Sequence, residues 1–205
     1  LDDGVTATAT EPRIRGQIFT ARVEFLRQAH GGEALQALLA ELPAADREAL
    51  RGVDREAWYP FATLMRLDRL ICERLYGGDP AAYETLGAAS ARHRTEWLGE
   101  HATLVNPHGF FARVAEDHSR FHDFGSAAYR RTGFTEGELS FAGYAKPDDV
   151  FCRSSVGYFR GVIEYLTRVP GIVEEIDCQC HGRPACRFRL RWMGSGRWGR
   201  GPQAN

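Results

Sequence analysis

Lysine is almost absent from this chain: Lys146 is the only one among 205 residues, so the cationic charge rests on arginine. Such a bias follows from high-GC coding and carries no functional weight. Long apolar runs are missing too. None approaches the roughly 18 residues of a membrane-spanning helix. The opening stretch LDDGVTATATEPR has no basic segment followed by an apolar one, so no secretory signal is expected. Nor is there an excess of either charge. Lys+Arg number 26 against Asp+Glu 27, which leaves no global field to hold nucleic acid or an anionic membrane. The Gly-x-Ser-x-Gly elbow, the phosphate loop and the Rossmann glycine fingerprint are all lacking, as is a basic recognition helix. These absences predict a cytoplasmic, non-enzymatic protein that touches neither membrane nor nucleic acid.

What is present suits one globular unit: 43% hydrophobic and 26% charged residues over a length able to bury a sizeable core. Residues 1–12 are small, polar and aperiodic and read as a disordered lead. A helical region is expected over 13–105. Arg13–Phe19 reads as a short strand or a helix start, and Leu35, Leu38, Leu39 and Leu42 fall at helical spacing. Asp54 reads as the cap of a helix whose stripe is Phe61, Leu64, Leu67, Ile71 and Leu75, closed by Gly77-Gly78. Asp79-Pro80 and Asn106-Pro107 each pair an N-cap with a proline in the first turn. From 106 to 193 the texture changes. A short strand is expected around Leu139 and Phe141, a helix over Cys152–Arg168, and two strands over Ile172–Cys180 and Cys186–Met193. In the last of these, Phe188, Leu190 and Trp192 alternate with Arg187, Arg189 and Arg191, the period of a half-buried strand. The arginine row reads as the wet face of an edge strand. Residues 194–205 read as a flexible tail. The fold class expected is α+β.

Five cysteines are present: Cys72, Cys152, Cys178, Cys180 and Cys186. An odd number, with three inside nine residues, speaks for a metal site rather than a disulfide framework. A hairpin with a cysteine at each end brings Cys178 and Cys186 to one point. Cys152, at the start of the preceding helix, is the obvious third ligand, and Glu175 offers a fourth. Strict alternation points Glu175 and Cys178 to opposite faces, so Cys180 or His181 is an alternative unless a bulge intervenes near Asp177.

The pattern Glu-x-x-Cys-x-x-x-Gly-x-x-x-Cys, with Cys152-x-x-x-x-Gly157-Tyr158-x-x-Gly161 upstream, resembles the metal motif of the 4-vinyl reductase-like domain family. Its best understood members are the sensory domains of phenol-responsive bacterial transcription activators. The likeness covers about residues 150–192. The helical half resembles uncharacterised paralogous proteins of myxobacteria. The resemblance implies a 4-vinyl reductase-like α/β lobe after the helices, with a structural Zn2+ held by Cys152, Glu175, Cys178 and Cys186. A closed shell of that kind leaves no open position for catalysis.

The resemblance also implies a pocket for a small hydrophobic or aromatic molecule, with Trp97, His108, Phe111, Phe134 and Tyr144 as candidate contacts. At the family's spacing for the phenol-holding His and Trp, the chain offers Thr103 and Arg131. The function implied is that of a sensor signalling to a partner, as a homodimer or to a downstream protein. The rivals are a protein-interaction scaffold and a tetrapyrrole-binding protein. Haem, as in the distantly similar nitric-oxide sensor domains, would want an axial His and a Tyr-x-Ser-x-Arg string. That string is absent. His118 and His122, at i, i+4 beside Asp117 and Asp123, read as a solvated helix face.

Overall fold

A computed structural model describes residues 11–98 and 106–193, the side chains of 94–98 excepted. The disordered lead and the flexible tail expected at the ends fall, apart from residues 11 and 12, outside the described residues. The chain opens on a three-residue strand, β1 (Arg13–Arg15), and turns at once into α1 (Gly16–Glu41), which kinks at Gly31. After α2 (Ala44–Leu50) comes β2 (Trp58–Pro60), antiparallel to β1 with Ile14 opposite Tyr59. Then follow α3 (Phe61–Leu75), α4 (Ala81–Leu98), α5 (Pro107–Glu116) and the single turn α6 (His118–Phe121). A hairpin, β3 (Ser126–Arg131) and β4 (Glu136–Ala142), leads to α7 (Asp149–Thr167). A second hairpin, β5 (Ile172–Asp177) and β6 (Ala185–Arg191), closes the described chain.

Local chemistry explains most of the boundaries. Asn106 accepts a hydrogen bond from the Gly109 amide at 2.9 Å, and Pro107 opens α5. Asp148 does the same for α7 through the Val150 amide at 3.0 Å. Helix α3 stops where Gly77 and Gly78 take φ of 62° and 81°, a region open to glycine at little cost. Asp54 does not cap α3, as its sequence context suggests. Its carboxylate accepts from the Glu56 amide in a turn before β2, because the chain must first return to pair with β1.

The four-stranded antiparallel sheet has the order β3-β4-β6-β5. Strand β6 is therefore interior, not an edge. Its arginines are neutralised across the strands: Arg187 bonds Glu138 and Asp177, and Arg191 bonds Glu174. The opposite face of the sheet, with Leu139, Phe141, Phe188 and Leu190, is buried with Phe159, Val162 and Ile163 of α7. A second core joins Phe19, Leu26, Leu64, Leu67 and Ile71 of α1 and α3 to Leu86 of α4. Helices α4 and α7 lie across each other in backbone contact. A Cβ on Gly157 would stand 1.9 Å from the Glu84 carbonyl oxygen, and one on Gly87 1.9 Å from that of Ser154. The architecture is the expected α+β one, with a helical N-terminal half and antiparallel sheets. No helix among the described residues is long and apolar enough to cross a membrane.

Candidate functional site: a histidine-lined cavity and a thiol cluster

Between the two cores lies a cavity of about 300 Å³ with mostly apolar walls. That volume is at the lower end of the range for small-molecule sites. Ile18 and Ala21 of α1, Leu64 and Met65 of α3, and Phe110 and Val114 of α5 supply part of its wall. Phe141 of β4 and Phe151, Tyr158 and Phe159 of α7 supply more. Arg22 reaches it from α1, but its guanidinium is fully engaged. It bonds both Asp68 carboxylate oxygens at 2.8 and 2.9 Å, the Leu86 carbonyl at 2.8 Å, the Ser154 hydroxyl at 2.7 Å, and Ser90. Arg55 and Arg113 also line the cavity.

Three histidines line it too: His93, His118 and His122. His118 is buried, and its Nε2 is hydrogen-bonded to the Tyr144 hydroxyl at 3.0 Å. The His122 ring stacks on that of His118 at 4.6 Å, and Phe124, Tyr144 and Phe151 surround it. His122 as a residue keeps some exposure, yet both its ring nitrogens are sealed from solvent and have no hydrogen-bond partner. Burial pushes its pKa down to about 3, and the neighbouring His118 adds to the shift. Burial lowers that of His118 as well. The pair is therefore neutral near pH 7, and the His122 nitrogens are packed among protein atoms without a hydrogen-bond partner. The i, i+4 spacing read as a solvated face is in fact a buried one. The flanking Asp117 and Asp123 disguise it, because α6 is a single turn whose inner side faces the cavity.

The second constellation is the cysteine cluster. Cys152 at the start of α7 approaches Cys186 of β6 at 3.4 Å, Cys178 approaches Cys152 at 3.7 Å, and Cys186 approaches Cys178 at 4.0 Å between sulfurs. With a Glu175 carboxylate oxygen, the four donor atoms lie within 4.8 Å of one another, close enough to hold a metal ion. The register of β5 on β6 shifts between Glu175 and Asp177, and that irregularity lets Glu175 and Cys178 share a side. Cys180 and His181 sit in an exposed 3-10 turn over Gln179–His181 and stay out of the group. Burial pushes the Cys178 thiol up to about 12. Cys186 accepts from Cys152 and from the Gln179 amide and moves down to about 6.

Of the expected ligand contacts, His108, Phe111, Phe134 and Tyr144 are not among the residues that line the cavity. His108 is held by the Tyr129 hydroxyl at 2.6 Å and by the Phe134 carbonyl at 2.8 Å, with Trp192 against its ring. Phe111 is fully buried against Phe110, Tyr129 and Phe159. Phe134 is 79% exposed at the β3–β4 turn. Tyr144 stands behind the wall, hydrogen-bonded to His118 and packed against His122, Phe141 and Phe151. The Trp97 side chain and Thr103 fall outside the described residues.

No family model and no curated protein matches the chain. Solved structures do. An H-NOX protein from S. oneidensis in the Fe(II)NO ligation state superposes with a TM-score of 0.70 at 12% identity, over 88% of this chain and all of that one. An oxygen-binding H-NOX domain related to soluble guanylate cyclases, solved as the oxygen complex, gives 0.66 at 12%, over 87% and 94%. A mutant H-NOX protein from K. algicida, in its Fe(II) unliganded form, gives 0.65 at 10%, over 90% and 100%. The chain has the H-NOX fold.

Two expectations are thereby corrected. The 4-vinyl reductase-like resemblance rests on residues 150–192, whereas the H-NOX likeness runs through the helical half as well. A short ligand-spacing pattern constrains one hairpin and one helix start, and many folds can supply those. The structural Zn2+ is corrected with it. The structures that share this fold are described by iron ligation, and others among them by haem and its distortion.

The fold thus raises haem, and the residues of the cavity bear on whether it fits. His122 brings to the wall a neutral imidazole whose buried nitrogens have no hydrogen-bond partner, the donor type an iron takes, and His93 on the same wall also has its Nε2 buried without a partner. Arg55 and Arg113 are the lining arginines that could meet carboxylates, and the Arg113 guanidinium is paired with Glu116 and Asp117. The Tyr-x-Ser-x-Arg string remains absent, so carboxylate anchoring would fall to these arginines.

Proposed function

We propose that the chain is a sensor domain whose cavity would hold haem, with His122 the residue that would bind its iron and Arg55 and Arg113 those that would meet its carboxylates. The observation that carries this reading is the His122 ring on a mostly apolar wall, whose two buried nitrogens have no hydrogen-bond partner; the Nε2 of His93, on the same wall, shares that state. Buried polar groups are almost always satisfied, and leaving one bare costs on the order of 1–3 kcal/mol. A bound partner removes that cost. Haem would supply an iron open to a small gas molecule. The chain's own residues do the rest. The apolar walls exclude water, His118 stacks on His122 and keeps its ring in place, and Tyr144 fixes His118 through its hydroxyl. Arg22, saturated by Asp68 and the serines, adds no free charge to the cavity.

The test is a titration of the purified apoprotein with hemin. The reading predicts one hemin per chain, retained through gel filtration, and weak or absent retention by His122→Ala. Failure of the unaltered protein to retain hemin would overturn it.

A second reading is favoured by the apolar lining and modest volume of the cavity. In it, a small hydrophobic molecule occupies the space directly and makes its polar contact with His122. Native mass spectrometry of protein purified without hemin separates the two by the mass retained. The thiol–carboxylate group is proposed separately as a ligand set for a metal ion. Elemental analysis checks it: a stoichiometric metal lost in Cys178→Ser is the expected outcome.

A further inference from the structure

One end of the cavity is polar, and hydroxyl hydrogens there are left over. Ser90 of α4 and Ser154 and Ser155 of α7 all line the space. A serine hydroxyl has one hydrogen to donate and two lone pairs with which to accept. Inside a helix that hydrogen can return to the carbonyl four residues earlier. Ser155 does this, donating to the Phe151 carbonyl at 2.8 Å. Ser154 and Ser90 are placed differently. Arg22 Nη2 donates to the Ser154 hydroxyl oxygen at 2.7 Å, and Nη1 donates to that of Ser90. The Leu86 carbonyl, four residues before Ser90, accepts from Arg22 as well, at 2.8 Å. A guanidinium only donates, so these bonds use serine lone pairs and leave both hydroxyl hydrogens unspent. Among the described residues, neither hydroxyl has an acceptor.

One guanidinium thus holds two donors side by side near the α4–α7 crossing, where a Cβ on Gly87 would strike the Ser154 carbonyl. The holder is itself fixed, because Asp68 takes two of its N–H groups at 2.8 and 2.9 Å in a fully buried pair. A hydroxyl that accepts from a cation donates more strongly, since linked hydrogen bonds polarise one another. The sign of the partner also follows. Asp68 balances the charge of Arg22, so the two donors offer no net charge with which to offset the burial of a carboxylate. They suit a neutral acceptor. Beyond them the wall turns apolar with Met65, Phe110, Phe141 and Phe159.

We infer that Ser90 and Ser154, held by Arg22, form a subsite for the neutral carbonyl oxygen of a small apolar ligand. The inference rests on the second reading of the cavity, direct occupancy by a small hydrophobic molecule, and gives that molecule its polar end. A carbonyl oxygen has two lone pairs and can take both hydroxyls at once. An analogue without the oxygen leaves two donors unpaired, so the subsite selects by chemistry as well as by size.

The test uses the full chain and two matched pairs of probes, acetophenone with ethylbenzene and 2-heptanone with heptane. Affinities are read by ligand-observed NMR titration. Water holds a ketone better than the matching hydrocarbon, so a purely apolar cavity would favour the hydrocarbon. The subsite predicts the reverse in at least one pair: the ketone binds as tightly as its hydrocarbon or more so. In Ser90→Ala and Ser154→Ala the ratio of ketone to hydrocarbon affinity falls about tenfold, while the hydrocarbon binds as before. Ser155→Ala, whose hydroxyl is already spent, and Ser154→Thr, which keeps a hydroxyl, retain the ratio. Hydrocarbons preferred by the unaltered protein in both pairs, or a ratio unmoved in the two alanine variants, would overturn the subsite and leave direct occupancy standing. Binding of none of the four probes would remove direct occupancy, and the subsite with it. Should an alanine variant fail to fold, the preference of the unaltered protein decides alone.

Discussion

His122 is the residue on which the proposed haem reading turns, and its environment makes a prediction without any ligand. Its pKa falls from 6.5 to about 3 because burial penalises the charged ring. The folded protein therefore binds fewer protons than the unfolded chain between those values, so stability falls as the pH drops through that window. The expected slope from this group is on the order of 1 kcal/mol per pH unit at most. Apoprotein His122→Phe should lose much of it. Denaturant melts at pH 7 and pH 5 compare the two, and an unchanged pH dependence in the variant would count against the buried, neutral assignment. The sequence hid this residue. His118 and His122 stand between Asp117 and Asp123, and nothing in that string tells a solvated face from one turned into a cavity. The cysteines were more legible, because the two ends of a short hairpin meet by construction. The bulge that aligns Glu175 with Cys178 is a backbone event, and periodicity could pose it only as a condition.

At the scale of elements, two contacts hold the cavity walls in place. The Arg22–Asp68 pair joins α1 to α3 and reaches α4 and α7 through Leu86, Ser90 and Ser154, with both side chains essentially buried. Removing one partner leaves an uncompensated buried charge. Asp68→Ala should therefore cost roughly 3–5 kcal/mol in chemical denaturation. Replacing Arg22 and Asp68 together by apolar residues should cost less than the single change. The α4–α7 crossing is the second contact. Gly157→Ala places a methyl against the Glu84 carbonyl, where the helices must part, and a loss of about 1–3 kcal/mol is expected with a change in hemin retention. An unshifted melting temperature would mean that the crossing is looser than the geometry indicates. Elements with capping signals were readable beforehand: Asn106-Pro107, Asp79-Pro80 and the two glycines after α3. Strand β3 was not. Its sequence SAAYRR shows neither a strong alternation nor a β-branched run, and it forms because β4 offers a paired edge.

At the scale of the molecule, the α+β class was legible and the family likeness was not. Motif spacing drew attention to one fifth of the chain, while the fold is set by helices that enclose a cavity with contributions from six helices and a strand. Those contributions lie far apart in sequence, so no local pattern announces them. With the cavity in view, the thiol cluster takes a different place. It lies just behind the wall, since Phe141 faces Cys186 in register and Phe151 precedes Cys152 on α7.

The most direct test of that account is the optical spectrum of the hemin-reconstituted protein, taken beside His122→Ala with and without free imidazole. The account predicts a histidine-ligated spectrum for the unaltered chain, its loss in the variant, and its return when imidazole refills the vacated position. A variant whose spectrum and hemin retention match those of the unaltered protein would contradict it.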